Sequence, residues 1–294
     1  MQLQTLIINI AQLVNVRTEN VLLRGAALKE LPIIEDAFLL LENGLIAEYG
    51  AMFELEIKVS QLPKNIIDAS GQFVLPAWVD SYTHIVYAGS RENEFIDKIN
   101  GLSYAEIAAK GGGILNSAKK LNETSEEDLY TTAYERVMQV ANLGTAAIEI
   151  KSGYGLSVDG ELKMLRVIKK LKNNTDLIIK ATFLAAHTYP LAYKENHRGY
   201  LDLIIKEMLP QIAKENLADY IDVFCENGFF SPEEMEELCM AAAKYGLLPK
   251  LHVNQLSSVG GIEVGIKNKA VSLDHLETLT QNEIKLLGDR KSVV

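Results

Sequence analysis

Cysteine is nearly absent: Cys225 and Cys239 are the only two in 294 residues, too few for the disulfide framework of a small secreted domain. No stretch reaches the roughly 18 apolar residues that a membrane-spanning helix needs. The opening MQLQTLIINIAQLVNV lacks the basic region and the small-residue cleavage site of a secretory signal. Positive charge is in deficit, with 29 Lys and Arg against 39 Asp and Glu and a net charge of −10. The cations that exist, such as Lys163, Arg166, Lys169 and Lys170, are scattered along helical patterns rather than gathered into a stripe. Such a chain repels a phosphate backbone. The absences together predict a protein of the reducing cytoplasm with neither nucleic acid nor membrane among its partners.

What is present is an ordinary globular composition, 48% apolar and 23% charged, which excludes a disordered or collagen-like chain. The length suits one large α/β domain, alone or with a small companion. Residues 1–72 read as a small β module built from TLIINI, DAFLLLENGLIAEYG and KNIIDASGQFVL, with Asn43-Gly44 as a type I′ hairpin signal. Residues 73–294 change texture. Six apolar runs, VLPAWVD, GTAAIEI, LIIKATFLAA, YIDVFCE, LLPKLHV and AVSLDHL, alternate with amphipathic helical patterns. Helix starts are marked by Thr124-x-x-Glu127, Ser231-Pro232-Glu233-Glu234 and Thr280-x-x-Glu283, and helix ends by Gly144 and Gly246.

Continuously apolar strands need cover on both faces, which leaves an open doubly wound sheet or a closed eight-stranded barrel. Polar residues decide between them. Nearly every run ends in reactive side chains: Asp80 to His84, Glu149 and Lys151, His187, Cys225 and Glu226, His252 to Gln255, Asp274 and His275. A barrel gathers its site from the ends of all strands, whereas an open sheet concentrates it at one switch point. The expected fold is therefore a (β/α)8 TIM-type barrel with a small N-terminal β-sandwich-like module. About six strands are countable before the chain stops at the apolar start KSVV, so the barrel is expected to end two units short.

Four of the five histidines, His84, His187, His252 and His275, fall at predicted strand ends; His197 sits in a polar stretch and reads as solvated. Tyr82 and His84, two apart on one strand, project the same way. Imidazoles that converge with carboxylates suit a catalytic zinc or iron ion.

Seven collinear segments then carry a specific resemblance: AGSRENEF, GLSYAEIAAKGGGI, EIKSGYGL, ATFLAAH, DVFCENGFFS, KLHVNQL and SLDHLE. The sequence resembles the imidazolonepropionase family of the amidohydrolase superfamily. The resemblance implies a cytoplasmic enzyme of histidine degradation, possessing one zinc or iron ion, that opens the C–N bond of 4-imidazolone-5-propanoate to give N-formimidoyl-L-glutamate. It places metal ligands at His84 and His252, with Tyr82 standing at the position of an expected His and the expected Asp falling beyond Val294. It places substrate contacts at Arg91, Tyr104, Tyr154 and His187, and catalytic roles at His275 and Gln255. Gln255 stands where many relatives have Glu, and an amide can orient water but cannot act as a base. Asp274 is assigned a supporting role. The implied partner is a small-molecule substrate, with a homodimer as the expected assembly. Two other readings share these residues: another cyclic-amide or cyclic-amidine hydrolase, and a non-catalytic remnant that keeps the fold without its metal.

Overall fold

The computed structural model describes residues 3–19, 21–23, 25–103, 106–107 and 112–289. The chain divides into two compact units, residues 1–77 with 287–294, and residues 78–286.

The first unit is one mixed sheet. Its strands are β1 (Gln4–Val14), β2 (Ile33–Glu42), β3 (Leu45–Ala51), β4 (Asn65–Asp68) and β5 (Phe73–Val74). They lie in the order β3-β2-β1-β4, with β5 also on β1. The hairpin between β2 and β3 turns at Asn43 and Gly44, both left-handed at φ 52° and 81°, the backbone that a type I′ turn demands. Two apolar clusters hold the unit, one around Leu6, Phe38 and Val59, the other around Ile10, Leu13, Ala37, Leu39 and Ala69. Because Phe73 and Val74 pair with β1, the run VLPAWVD contributes a barrel strand only from Trp78.

The second unit is the barrel. Six parallel strands, β6 (Trp78–Thr83), β7 (Thr145–Lys151), β8 (Ile178–Ala186), β9 (Tyr220–Cys225), β10 (Leu248–Val253) and β11 (Ser272–His275), lie side by side in sequence order. The sheet curls strongly. Strand spacing of roughly 4.8 Å would set β6 and β10 about 19 Å apart in a flat sheet, yet the Tyr82 hydroxyl lies 2.6 Å from His252. Among the described residues β6 pairs only with β7 and β11 only with β10. Trp78 and Val79 at the β6 edge are 63% and 74% exposed. KSVV lies outside the described residues.

The helices follow their local signals with one shift. Helix α1 (Glu126–Asn142) takes Ser125 as its N-cap rather than Thr124, because the Thr124 hydroxyl donates instead to the Lys120 carbonyl. Helix α2 (Val158–Asn174) follows β7, and α3 (Pro232–Ala243) starts at the Ser231–Glu234 capping box. Thr280 and Glu283 cap each other at the start of α4 (Gln281–Asp289). Gly144 and Gly246 end their helices at positive φ. No helix among the described residues is long and apolar enough to cross a membrane.

Candidate active site and metal centre

The strand ends bring five of the sequence-selected rings together. His84 stacks on His187 at 5.2 Å and 7°, and His252 lies 5.9 Å from each of them. One ring nitrogen from each of these three histidines lies within 4.8 Å of the others. Tyr82 sits beside them, its hydroxyl 2.6 Å from His252 Nε2 and 3.1 Å from His275 Nε2. Tyr154 closes the other side, 5.3 Å from the His84 ring and 5.5 Å from the His187 ring. Arg91 donates to the Tyr154 hydroxyl at 3.4 Å and also approaches Glu94 at 3.8 Å, so it is tied both to a ring at the mouth and to an acid three residues on. Gln255 is half-buried just after β10, and no contact among the described residues ties it to the rings. Tyr104 lies outside the described residues. His197 begins a helix and stacks on Tyr189 at 3.6 Å rather than being simply solvated.

The loop after β7, Ser152 to Leu156, is what lets His187 stand where it does. Gly153 has φ +105°, and a Cβ there would lie 2.9 Å from both His187 Nδ1 and the Leu184 carbonyl. Only glycine tolerates that backbone and that approach. His187 Nδ1 consequently reaches the Gly153 carbonyl at 3.0 Å. The loop is tied down by Glu161 on α2, a buried carboxylate that accepts from the amides of Gly153, Gly155 and Leu156 at 3.0, 2.7 and 2.9 Å. At the end of β11, His275 and Leu276 are both left-handed, at φ 76° and 55°. Such backbone is costly for non-glycine residues and recurs at working sites.

Beneath the rings lies a buried ion cluster. Lys151 donates to Glu149 at 3.0 Å, Asp222 at 2.9 Å and Asp274 at 3.4 Å. Thr182 also donates to Glu149. Burial opposes the charge on Lys151, but the three carboxylates outweigh it and hold its pKa above the ordinary value. Burial likewise opposes the Asp222 charge, and His252 and Lys151 overcome it, holding that carboxyl well below its usual range. For the rings, burial dominates. It pushes His187 down to about 3 and His84 well below 6.5, helped by neighbouring imidazoles. His275 is lowered by burial and by His252. Burial, then the Asp222 charge, keeps the proton on Tyr82. Burial thus favours the neutral forms of His84, His187 and His275, which stand over a charged base.

Comparison with known proteins gives this arrangement its family. The chain is 58% identical over 285 residues to an imidazolonepropionase of Flavobacterium johnsoniae, covering 96% of this chain and 68% of that protein. The chain belongs to the imidazolonepropionase family. An imidazolonepropionase of Flavobacterium psychrophilum is 55% identical, with 99% and 70% covered. No protein-family model matches the chain. Among solved structures, an atrazine chlorohydrolase of Arthrobacter aurescens complexed with zinc and atraton superposes with TM-score 0.63 at 14% identity, covering 98% of this chain and 64% of that one. A guanine deaminase of E. coli superposes with TM-score 0.62 at 13% identity, covering 98% and 65%. At such identities these two establish the fold alone, a parallel α/β barrel. The chain thus spans about two thirds of the length of the proteins it matches.

For a member of the imidazolonepropionase family, the donor chemistry around His84, His187 and His252 fits a borderline-soft metal ion. All three offer nitrogen donors, although His252 Nε2 is engaged by the Tyr82 hydroxyl, and among the described residues His84 Nδ1 is buried without a hydrogen-bond partner. Tyr82 does not fit as a ligand, because its proton is held and its hydroxyl is turned to His252 and His275. The second candidate group, Asp222, His252 and Asp274, is already compensated by Lys151. Asp222 is the functional-site residue that sequence reading passed over. Its signal was a lone acid inside the apolar strand YIDVFC, where a charge survives only if paired.

Proposed function

We propose that this chain hydrolyses the ring C–N bond of 4-imidazolone-5-propanoate to give N-formimidoyl-L-glutamate. The reading is carried by the convergence of imidazoles with the Arg91–Tyr154 pair at one barrel mouth, in a chain 58% identical to a curated imidazolonepropionase. When bound at His84 and His252, a zinc or iron ion supplies Lewis-acid polarisation and a nucleophile at neutral pH. The chain's own residues do the rest. Arg91 offers a fixed guanidinium for the propanoate. The Tyr154 hydroxyl lines the ring. His275, half-buried and uncharged at neutral pH, is placed to hold or return a proton at Nε2 as the ring nitrogen leaves. Gln255 serves as an orienting amide only. The substrate is thus a small anion met in the cytoplasm, with a homodimer as the assembled form and neither nucleic acid nor membrane as partner.

The test follows the imidazolone absorbance on the full chain supplied with zinc or iron, with formimidoylglutamate identified as product. Metal uptake with this ring left intact and another cyclic amidine opened would defeat the substrate assignment. One observation favours a second reading, a metal-free relative that does not turn over: the Tyr82 hydroxyl already occupies the His252 Nε2 lone pair. Absence of metal uptake together with absence of turnover would establish it.

A further inference from the structure

The resemblance implies a pair of imidazoles on β6, and this chain has only one. We propose that a divalent ion of the zinc class is held here by His84, His187 and His252, with His187 on the strand two places away supplying the nitrogen that Tyr82 withholds. The proposal rests on the hydrolase reading and names a metal ligand beyond it.

Geometry carries the inference. One nitrogen of each ring lies within 4.8 Å of the others, and a tetrahedral ion with bonds of ~2.1 Å needs them roughly 3.4 Å apart. The nitrogens thus stand up to about 1.4 Å further apart than a bound ion would hold them, and the rings must draw together as it enters. Two of the rings are also already in the tautomer a metal requires. The Gly153 carbonyl, 3.0 Å from His187 Nδ1, can only accept, so that nitrogen carries the proton and Nε2 keeps its lone pair. His252 Nδ1 lies 2.6 Å from Asp222 Oδ2. That contact is close but not linear, since by hydrogen-bond geometry the nitrogen has no partner. A carboxylate at this distance nonetheless fixes the proton there and leaves Nε2 free. Metal-binding histidines typically have their other nitrogen held by a carboxylate or a backbone carbonyl in this way. The third ring, His84, has a buried Nδ1 with no partner at all.

Nothing comparable recommends the neighbouring groups. Asp222 and Asp274 are compensated by Lys151, and His275 Nδ1 faces Glu277 while its Nε2 meets Tyr82. Tyr82 takes a different part, as the competitor for His252. Its hydroxyl donates to the Nε2 lone pair that the ion needs, and must turn aside when the ion enters.

Cobalt(II) titration of the full chain tests the site. One ion per chain with the visible bands of a low-coordinate nitrogen site is expected. His187→Asn keeps an amide donor for the Gly153 carbonyl but has no Nε2. Its affinity should fall by more than about 100-fold, beyond the 10–100-fold that loss of an outer partner costs. Tyr82→Phe should bind more tightly than the parent. Nitrogen-15 NMR of the unaltered chain with zinc gives a readout independent of any variant's folding: one nitrogen each of His84, His187 and His252 should shift. Unchanged cobalt affinity and bands in a folded His187→Asn, or zinc shifts that omit His187, would overturn the proposal. So would a parent chain that takes up no ion while Tyr82→His does. Imidazolone turnover is measured separately. Absent turnover in a chain with the expected cobalt signature would defeat the hydrolase reading and leave the metal site standing.

Discussion

Two buried polar clusters share the barrel mouth and differ in how completely they are satisfied. In the lower one Lys151 directs its three donors to Glu149, Asp222 and Asp274, and Asp222 also accepts from the His252 backbone amide at 3.0 Å, so that among its described carboxylate atoms Glu149 Oε2 is the one left without a hydrogen-bond partner. In the upper one His84 Nδ1 and His252 Nδ1 have no hydrogen-bond partner among the described residues, and burial pushes the His84 and His187 imidazoles towards their neutral forms. A satisfied cluster in low dielectric is rigid, because every change of partner leaves a charge exposed to an apolar surround. An unsatisfied one beside the mouth is where a ligand gains most. The lower cluster is scaffold, and the upper one is the site it holds.

The comparison can be broken most sharply at Lys151. Lys151→Met strips the counter-ion from three carboxylates and should cost about 3 to 5 kcal/mol in chemical unfolding. A cost below about 1 kcal/mol would mean that the lower cluster is not scaffold. Gly153→Ala attacks the join between scaffold and site. Its φ of +105° and the 2.9 Å approach to His187 should cost about 1 to 3 kcal/mol. Metal affinity should fall with the melting temperature, and loss of stability alone would detach the loop from the upper cluster.

Acid should separate the clusters next. His187 and His84 have folded pKa values depressed below the ordinary 6.5, His187 to about 3. The unfolded chain therefore binds protons first as pH falls. The stability tied to these rings is complete above pH 6.5 and is lost as pH falls below it, for His187 progressively towards about pH 3 at roughly 1.4 kcal/mol per pH unit. Denaturant midpoints that stay flat between these values would show the rings to be solvated. The smallest effect is expected at the outer rim. Arg91 keeps 35% of its side-chain surface, so Arg91→Ala should raise KM about tenfold and leave kcat near the parent value. A changed kcat with an unchanged KM would place Arg91 in the chemistry rather than in binding.

Most of the barrel was legible because its strands obey one strong rule: buried on both faces, they read as unbroken apolar runs. The hairpin at Asn43-Gly44 and the caps at Ser231 and Thr280 were equally plain. The period of two along β6 put Tyr82 and His84 on one side, and the structure brings both rings to the mouth. The scaffold was not legible, since Lys151 meets Asp222 and Asp274 across 71 and 123 residues, and no local pattern encodes such pairings. Glu161 on α2 was not singled out in the sequence. Its spacing from Leu165 and Ile168 places it on the buried face, a signal available in the sequence and overlooked. The cap at Ser125 was missed by one position because Thr124 and Ser125 are chemically equivalent candidates, separated only by where the preceding helix ends.

The curl of the barrel sheet also bears on the order in which the site comes into being. Each ladder joins neighbouring βα units, so the sheet can grow stepwise as the chain emerges. Tyr82, by contrast, meets partners 170 and 193 residues further along. Contacts of such separation close late, after the intervening chain has been ordered. The first strand thus carries its part of the site through folding without the histidines it will face, and the mouth is assembled by the arrival of β10 and β11. A fluorophore or quencher placed at Tyr82 should report a phase slower than the growth of helical signal from the units between.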